Sequence, residues 1–162
     1  MPTVAVYPGS FDPPTEGHLN IIRRALGLFD RVIVAVAVNS AKQCVFTPAE
    51  RVALLKEICG NDPKLEFDTF QDRLLVDYAR QKKASAVIRG IRTVQDYEYE
   101  FQMALANRQL APEIETVFLM AESEFAHLSS SLIKEIVAFG GSGKGMVPPL
   151  IEKRLKEKLK KR

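Results

Sequence analysis

Residues 31–38 read RVIVAVAV, an unbroken apolar run of strand length behind a single arginine. Such a strand has no polar face to turn toward water, so it must be covered on both sides. A parallel sheet with helices on both faces does this. The rest of the chain alternates accordingly. Thr3–Tyr7 is short, apolar and β-branched, and the spacing of Leu19, Ile22, Leu26 and Phe29 predicts a helix over 17–29. Thr47-Pro48-Ala49-Glu50 forms a capping box with proline at the first helical position, opening a helix that runs to about Cys59 and stops near Gly60. Strands are expected at 64–70, 86–89 and 116–120, and helices at 74–83, 93–110 and about 130–139. A basic helix from about 149 to 160 carries Ile151, Leu155 and Leu159 on one stripe, with its lysines left to water. Strict alternation with right-handed crossovers predicts an α/β fold, a doubly wound parallel five-stranded sheet in one Rossmann-like domain spanning 1–162.

Composition narrows the classes. A chain of 162 residues that is 46% hydrophobic suits one domain with a real core. No apolar run reaches the roughly 18 residues of a membrane span, and MPTVAVYPGS has no basic region ahead of its apolar stretch, so a cytoplasmic protein without a membrane partner is expected. Cys44 and Cys59 lack CxxC spacing, which points to reduced thiols and no cysteine-based metal site. The net charge of +3 is concentrated in the tail PLIEKRLKEKLKKR, and 20 acidic residues dilute the remainder, so nucleic acid is not an expected partner.

Ligands of doubly wound sheets sit beyond the carboxyl ends of the strands. After the first strand come Gly9, Ser10, Phe11 and then Gly17-His18 at a helix mouth, where free amides and the helix dipole favour a phosphate. Neither GxGxxG nor a Walker lysine is present. Asn39, Ser40 and Lys42 follow the second strand, Gln71 and Asp72 the third, and Arg89, Gly90 and Arg92 the fourth. Beyond the fifth, the chain runs through Glu122 and Glu124 to Leu128-Ser129-Ser130-Ser131. Protonated His18, Lys42, Arg89 and Arg92 would make this rim cationic and suited to a polyanion.

TEGH at 15–18, after a strand and a glycine, resembles the HxGH signature of the nucleotidyltransferase superfamily, with Thr15 in place of the first histidine. Together with YPGSFDP at 7–13, IRGIRTVQDYEYE at 88–100 and LSSSLIKE at 128–135, it resembles the bacterial phosphopantetheine adenylyltransferases over essentially the whole chain. The resemblance implies adenylyl transfer from ATP to 4′-phosphopantetheine with magnesium, giving dephospho-coenzyme A and pyrophosphate, by direct attack without a covalent intermediate. It implies His18 as donor to the α-phosphate, Ser10 as a bridge between nucleotide and acceptor, Lys42 as a neutralising cation and Arg92 as a further catalytic group. ATP-side contacts are implied for Ser10, Phe11, His18, Gly90, Ile91, Arg92 and Glu100. The stretch Phe125, Ala126, His127, Leu128, Ser129, Ser130 and Ser131 is implied to hold the triphosphate tail and base. Acceptor contacts are implied for Ser10, Lys42, Arg89 and Leu75, with Leu74 as a neighbouring alternative. No protein metal ligands are implied, and the family's hexameric habit implies a homo-oligomer.

Competing readings stay beside these. Arg89 could pair structurally with Asp96, Glu98 or Glu100; Glu100 could be a surface residue of the long helix; and the first of the three serines could be only a helix cap. A sister enzyme acting on nicotinamide mononucleotide would share His18 and the serine loop, and a nucleotide-sensing module would bind ATP without turnover. FGGSGKGM at 139–146 imitates a phosphate loop, but Ala138 and Gly145 occupy the positions of required residues and a helix precedes it, so a helix stop and a flexible surface loop are expected.

Overall fold

The computed structural model describes residues 1–160; Lys161 and Arg162, the end of the expected domain, lie outside them. Five strands, β1 (Val4–Gly9), β2 (Arg31–Val38), β3 (Leu65–Gln71), β4 (Ala86–Ile91) and β5 (Glu115–Met120), form one all-parallel sheet in the order β3-β2-β1-β4-β5. The connecting helices are α1 (Glu16–Leu26), α2 (Pro48–Cys59), α3 (Leu75–Gln81) and α4 (Val94–Leu110), followed by α5 (Ser130–Ala138) and α6 (Pro149–Lys160). No helix among the described residues is long and apolar enough to cross a membrane.

Each central strand is buried on both faces, as its composition requires. Ala5, Tyr7, Val32, Val34 and Ile88 pack with Ile21 and Ile22 of α1 and Leu55 of α2. Their alternate neighbours Val4, Val6, Ile33, Ala35 and Val87 pack with Val76, Tyr78 and Ala79 of α3. A third cluster joins Phe46 and Leu54 to Ile133, Val137, Ile151 and Leu155, binding α2, α5 and α6 together. The expected α6 stripe is therefore a packing face.

Two boundaries differ from expectation, and the second bears on the site. α1 ends at Leu26 rather than Phe29 because the chain turns at Gly27, whose N–H bonds back to Ala25 and Arg24. β4 continues to Ile91, with Arg89 opposite Phe118 and Gly90 opposite Leu119. Arg89 and Gly90 are thus inside the strand and face opposite sides of the sheet. A Cβ on Gly90 would meet Ile21 of α1 at 3.6 Å, whereas Arg89 reaches Glu100 of α4.

The FGGSGKGM segment stops α5 as expected but is not a loose loop. Gly140 and Gly145 turn it at φ +85 and +80. Glu152 of α6 accepts from the Gly143 N–H at 2.9 Å and the Ser142 hydroxyl at 3.0 Å. The Met146 carbonyl accepts the Glu16 N–H at 2.9 Å, tying the segment to the start of α1.

Candidate active site

The strand order reverses between β1 and β4, and a cavity of about 250 Å³ opens there at their carboxyl ends. Tyr7 and Gly9 of β1, His18 of α1, Arg89 and Gly90 of β4, and Ser129 and Ser130 at the head of α5 contribute to its walls.

The β1–α1 turn fixes His18. Phe11 is 1% exposed with φ +50, a strained conformation for a bulky residue, and its ring packs edge-on against Tyr7 and His18, with centroids at 5.4 and 4.8 Å. A Cβ on Gly9 would stand 3.0 Å from that ring, so the glycine makes room for phenylalanine as well as for a ligand. With its ring in the core, Phe11 has only its main chain to offer a nucleotide. Thr15 caps α1 by accepting the His18 N–H at 3.2 Å, and the His18 ring returns the bond, its Nδ1 accepting the Thr15 N–H at 3.0 Å. This is a capping box with imidazole in place of the usual glutamate.

Because Nδ1 accepts from a backbone amide, the neutral ring carries its proton on Nε2. Burial first, and the Arg92 charge second, hold the His18 pKa down at about 4. The condition under which His18 would add to the cationic rim is therefore not met near neutral pH: burial favours a neutral imidazole that donates one N–H. Burial also pushes the Tyr7 hydroxyl well above its usual range, against the opposing pull of Arg89 and Arg92, so Tyr7 stays protonated.

The arginines come in already engaged. Arg89 Nε and Nη2 each donate to a Glu100 carboxylate oxygen at 2.7 Å, and Glu100 is 9% exposed. The competing structural pair is present, and the surface position considered for Glu100 is not. Burial opposes the Arg89 charge, but the Glu100 carboxylate outweighs it and the net shift is upward. Arg89 and Glu100 also line a smaller cavity of about 90 Å³ with Leu75, Met103 and Asn107. Leu75 is partly buried there, while Leu74 is 54% exposed. Arg92 bonds Asp96 through Nε at 3.1 Å and donates to the Leu128 carbonyl, joining the β4–α4 turn to the segment before α5. Ile91 is buried.

Of the 125–131 stretch, Phe125, Leu128, Ser129 and Ser130 face the larger cavity; Ala126, His127 and Ser131 are not among its walls, and His127 and Ser131 are exposed. Ser129 is the N-cap of α5, accepting the Leu132 N–H at 3.1 Å, and the Ser130 hydroxyl donates to the Pro13 carbonyl at 2.8 Å. The expected cap role of the first serine is present. Lys42 lies on an exposed loop and is not among the cavity walls. Among the described residues, no group of three or more His, Cys, Asp or Glu side chains is gathered as if for a metal ion.

Sequence reading did not single out Tyr7, Asp12 or Arg51. Tyr7 carried a usable signal as the one aromatic residue of β1, three positions before Ser10. Asp12 and Arg51, both buried, depend on partners remote in sequence and carried none.

Comparison with known proteins agrees with this fold. A family model described as cytidylyltransferase-like matches residues 6–136. The phosphopantetheine adenylyltransferase of Caldanaerobacter subterraneus subsp. tengcongensis is 54% identical over 158 residues, covering 98% of each chain. That of Desulfatibacillum aliphaticivorans is 52% identical over 160 residues, covering 99% of this chain and 91% of the relative. The structure of Plasmodium falciparum nicotinic acid mononucleotide adenylyltransferase complexed with NaAD superposes with a TM-score of 0.69 at 14% identity, covering 99% of this chain and 96% of that one, a likeness of fold. The chain belongs to the phosphopantetheine adenylyltransferase family of cytidylyltransferase-like nucleotidyltransferases.

Proposed function

We propose that this protein transfers the adenylyl group of ATP to 4′-phosphopantetheine, giving dephospho-coenzyme A and pyrophosphate, a step of coenzyme A biosynthesis. The observation that carries this is 54% identity, over 98% of both chains, to a relative of that name. A phosphate oxygen of the acceptor attacks the α-phosphorus in line, a new P–O bond forms, and the bond to the β-phosphate bridging oxygen breaks. The departing group is pyrophosphate, and no protein nucleophile is needed.

Under this mechanism His18 donates its Nε2–H to an α-phosphate oxygen. Fixed by the Thr15 amide, the ring pays no reorientation when charge builds in the transition state. Its neutrality matters, because a neutral N–H stabilises the oxyanion by hydrogen bonding without giving up its proton, so no reprotonation step is needed. Ser10 bridges nucleotide and acceptor, with Phe11 offering its main chain beside it. Lys42 swings from its loop to neutralise oxygens on both. Arg92 supports the charge from the β4–α4 turn with Gly90 and Ile91 of the strand end. Arg89 exchanges part of its Glu100 pairing for the acceptor phosphate, and Leu75 meets the pantetheine arm in the smaller cavity. Glu100 lies on the adenosine side, and Phe125, Ala126, His127, Leu128, Ser129, Ser130 and Ser131 form the segment around the base and the leaving pyrophosphate. Magnesium is taken as part of the substrate, carried by the ATP phosphates.

The protein is read as one cytoplasmic domain with small-molecule substrates and no role for nucleic acid or membrane. A homo-oligomer, hexameric by family resemblance, is also part of the proposal. In support, the 17 residues of α4 bury only Glu100, while Val94, Tyr97, Tyr99, Phe101, Met103 and Leu105 are 44–75% exposed.

A pyrophosphate-release assay with ATP and a panel of phosphorylated acceptors tests the reaction. Release with 4′-phosphopantetheine is expected. Release only with nicotinamide mononucleotide would replace the acceptor, and ATP binding without release from any acceptor would favour the sensing module.

A further inference from the structure

Two charged side chains outside the mechanism above are almost wholly enclosed: Asp12, 3% exposed, and Arg51, 2% exposed. Asp12 belongs to the β1–α1 turn, and Arg51 meets that turn from α2. Asp12 Oδ2 accepts the Val45 N–H at 2.9 Å and a Lys134 Nζ–H at 3.2 Å, and its Oδ1 accepts the Phe46 N–H at 2.9 Å. Arg51, from α2, donates to the Ser10 carbonyl at 2.8 Å and reaches the Ala37 carbonyl at 3.5 Å. Its Nε is buried without a partner among the described residues.

Burying charge is costly, and an ionised carboxylate that accepts amide hydrogens makes stronger bonds than a neutral group. The places these charges join are therefore informative. Asp12 stands two residues after Ser10; Val45 and Phe46 end the loop that carries Lys42; and Lys134 belongs to α5, whose first residue Ser130 bonds Pro13. At its near end the loop is held by an Asn39 turn, with the Asn39 side chain accepting from the Ala41 N–H at 3.0 Å. Residues 41–43 between these two ends are exposed. One carboxylate thus joins the turn of Ser10 and His18, the loop of Lys42 and the helix of the serines.

We propose that Asp12 is a positioning residue that acts through Lys42. Its carboxylate fixes the far end of the 39–47 loop, so that the lysine reaches the same phosphates that Ser10 and His18 address. This rests on the role given to Lys42 above. Misplacing a reacting or charge-stabilising group by about 1 Å can cost on the order of 100-fold in rate, enough for a remote carboxylate to matter.

A double-mutant cycle separates positioning from general destabilisation. Asp12→Asn is expected to lower kcat by about 30-fold while changing KM for ATP by less than about 3-fold. Lys42→Met is expected to cost several-fold less in the Asp12→Asn protein than in the wild type, because a misplaced lysine has less to lose. An equal cost in both backgrounds would overturn the proposal. If Asp12→Asn does not fold, the same cycle with Lys134→Met, which keeps both amide bonds, should show the same non-additivity at smaller size, and additivity there would overturn it equally. Hydrogen exchange provides a readout independent of turnover: the Val45 and Phe46 amides should exchange faster in the Asp12→Asn protein while β2 amides do not change. Unchanged protection would sink the proposal even if the reaction assigned above proved wrong, and loss of protection would sustain the anchoring even then.

Discussion

α1 and α4 both supply a side chain to the cavity, yet they are held in different ways. α1 buries Leu19, Ile21, Ile22 and Ala25 against the sheet, and its mouth is closed by the reciprocal Thr15–His18 bonds. α4 buries only Glu100 and meets the site through the paired Arg89, with Tyr97 and Phe101 stacked on its exposed surface at a centroid distance of 5.7 Å. One helix is positioned by its own chain's core. The other leans on ion pairs, Arg89–Glu100 being the more enclosed and Arg92–Asp96 the more exposed, and leaves apolar surface open.

The largest expected effect tests the α1 side. His18→Ala should keep the fold, since α1 retains its packing, yet lower turnover by roughly 10³-fold, the value of about 3–4 kcal/mol for a transition-state charge donor. Turnover within a few fold of wild type, measured by pyrophosphate release, would take His18 out of the mechanism. Next comes the more enclosed of the pairs on which α4 leans. Glu100→Ala leaves the Arg89 guanidinium without its carboxylate, but Arg89 is 31% exposed and can recover water, so about 1–2 kcal/mol of stability should be lost in urea denaturation. A loss well above this would mean that the pair is sealed more tightly than its exposure indicates.

Removing the cap by Thr15→Ala should cost about 1 kcal/mol, while the His18 ring keeps its bond, which comes from the backbone N–H of residue 15. A turnover loss as large as that of His18→Ala would show that the hydroxyl, and not the amide, orients the ring.

The pH dependence sharpens the same point. His18 falls from the ordinary 6.5 to about 4 in the folded chain, so between pH 8 and 6 it should contribute no limb to the rate profile. Its folded form binds the proton less tightly than the unfolded form. Its contribution to stability is therefore full above about 6.5 and declines as pH falls toward 4. An NMR titration of the ring that moves near 6.5 would contradict this. The smallest effect on the chain itself belongs to the outer face of α4. Phe101→Asp should alter single-chain stability by no more than about 0.5 kcal/mol, because the side chain is 44% exposed, yet it should lower the sedimenting mass. Unchanged mass would mean that this face is not between copies.

What could be read from the sequence follows how local each signal is. RVIVAVAV gives β2 with its ends in place, and Thr47-Pro48-Ala49-Glu50 gives the start of α2 because cap and partner are three residues apart. The α6 stripe is equally local, with Ile151 and Leu155 fully buried. The last two residues of β4 escape the sequence because glycine is a weak strand former, and pairing of Gly90 and Ile91 with Leu119 and Met120 on β5 overrides that tendency. The neutrality of His18 is not legible in the sequence because both its burial, partly against Phe11, and the nearby Arg92 charge are tertiary. Asp12 was not legible as a site residue, since its amide partners lie 33 and 34 positions away.

The bond from Glu16 N–H to the Met146 carbonyl changes what the mouth of α1 can hold. With His18 N–H taken by Thr15, Gly17 supplies the one first-turn amide left unbonded at this mouth among the described residues. α5 keeps two, from Ser130 and Ser131, because Ser129 takes up the Leu132 amide. The glycine-rich stretch that imitates a phosphate loop therefore works in reverse, withdrawing a donor from one helix and leaving the larger anion capacity at the other. Under the proposed function, a ligand with several phosphates would meet a point contact at α1 and a broader seat at α5, an asymmetry that would give it a direction in the cleft.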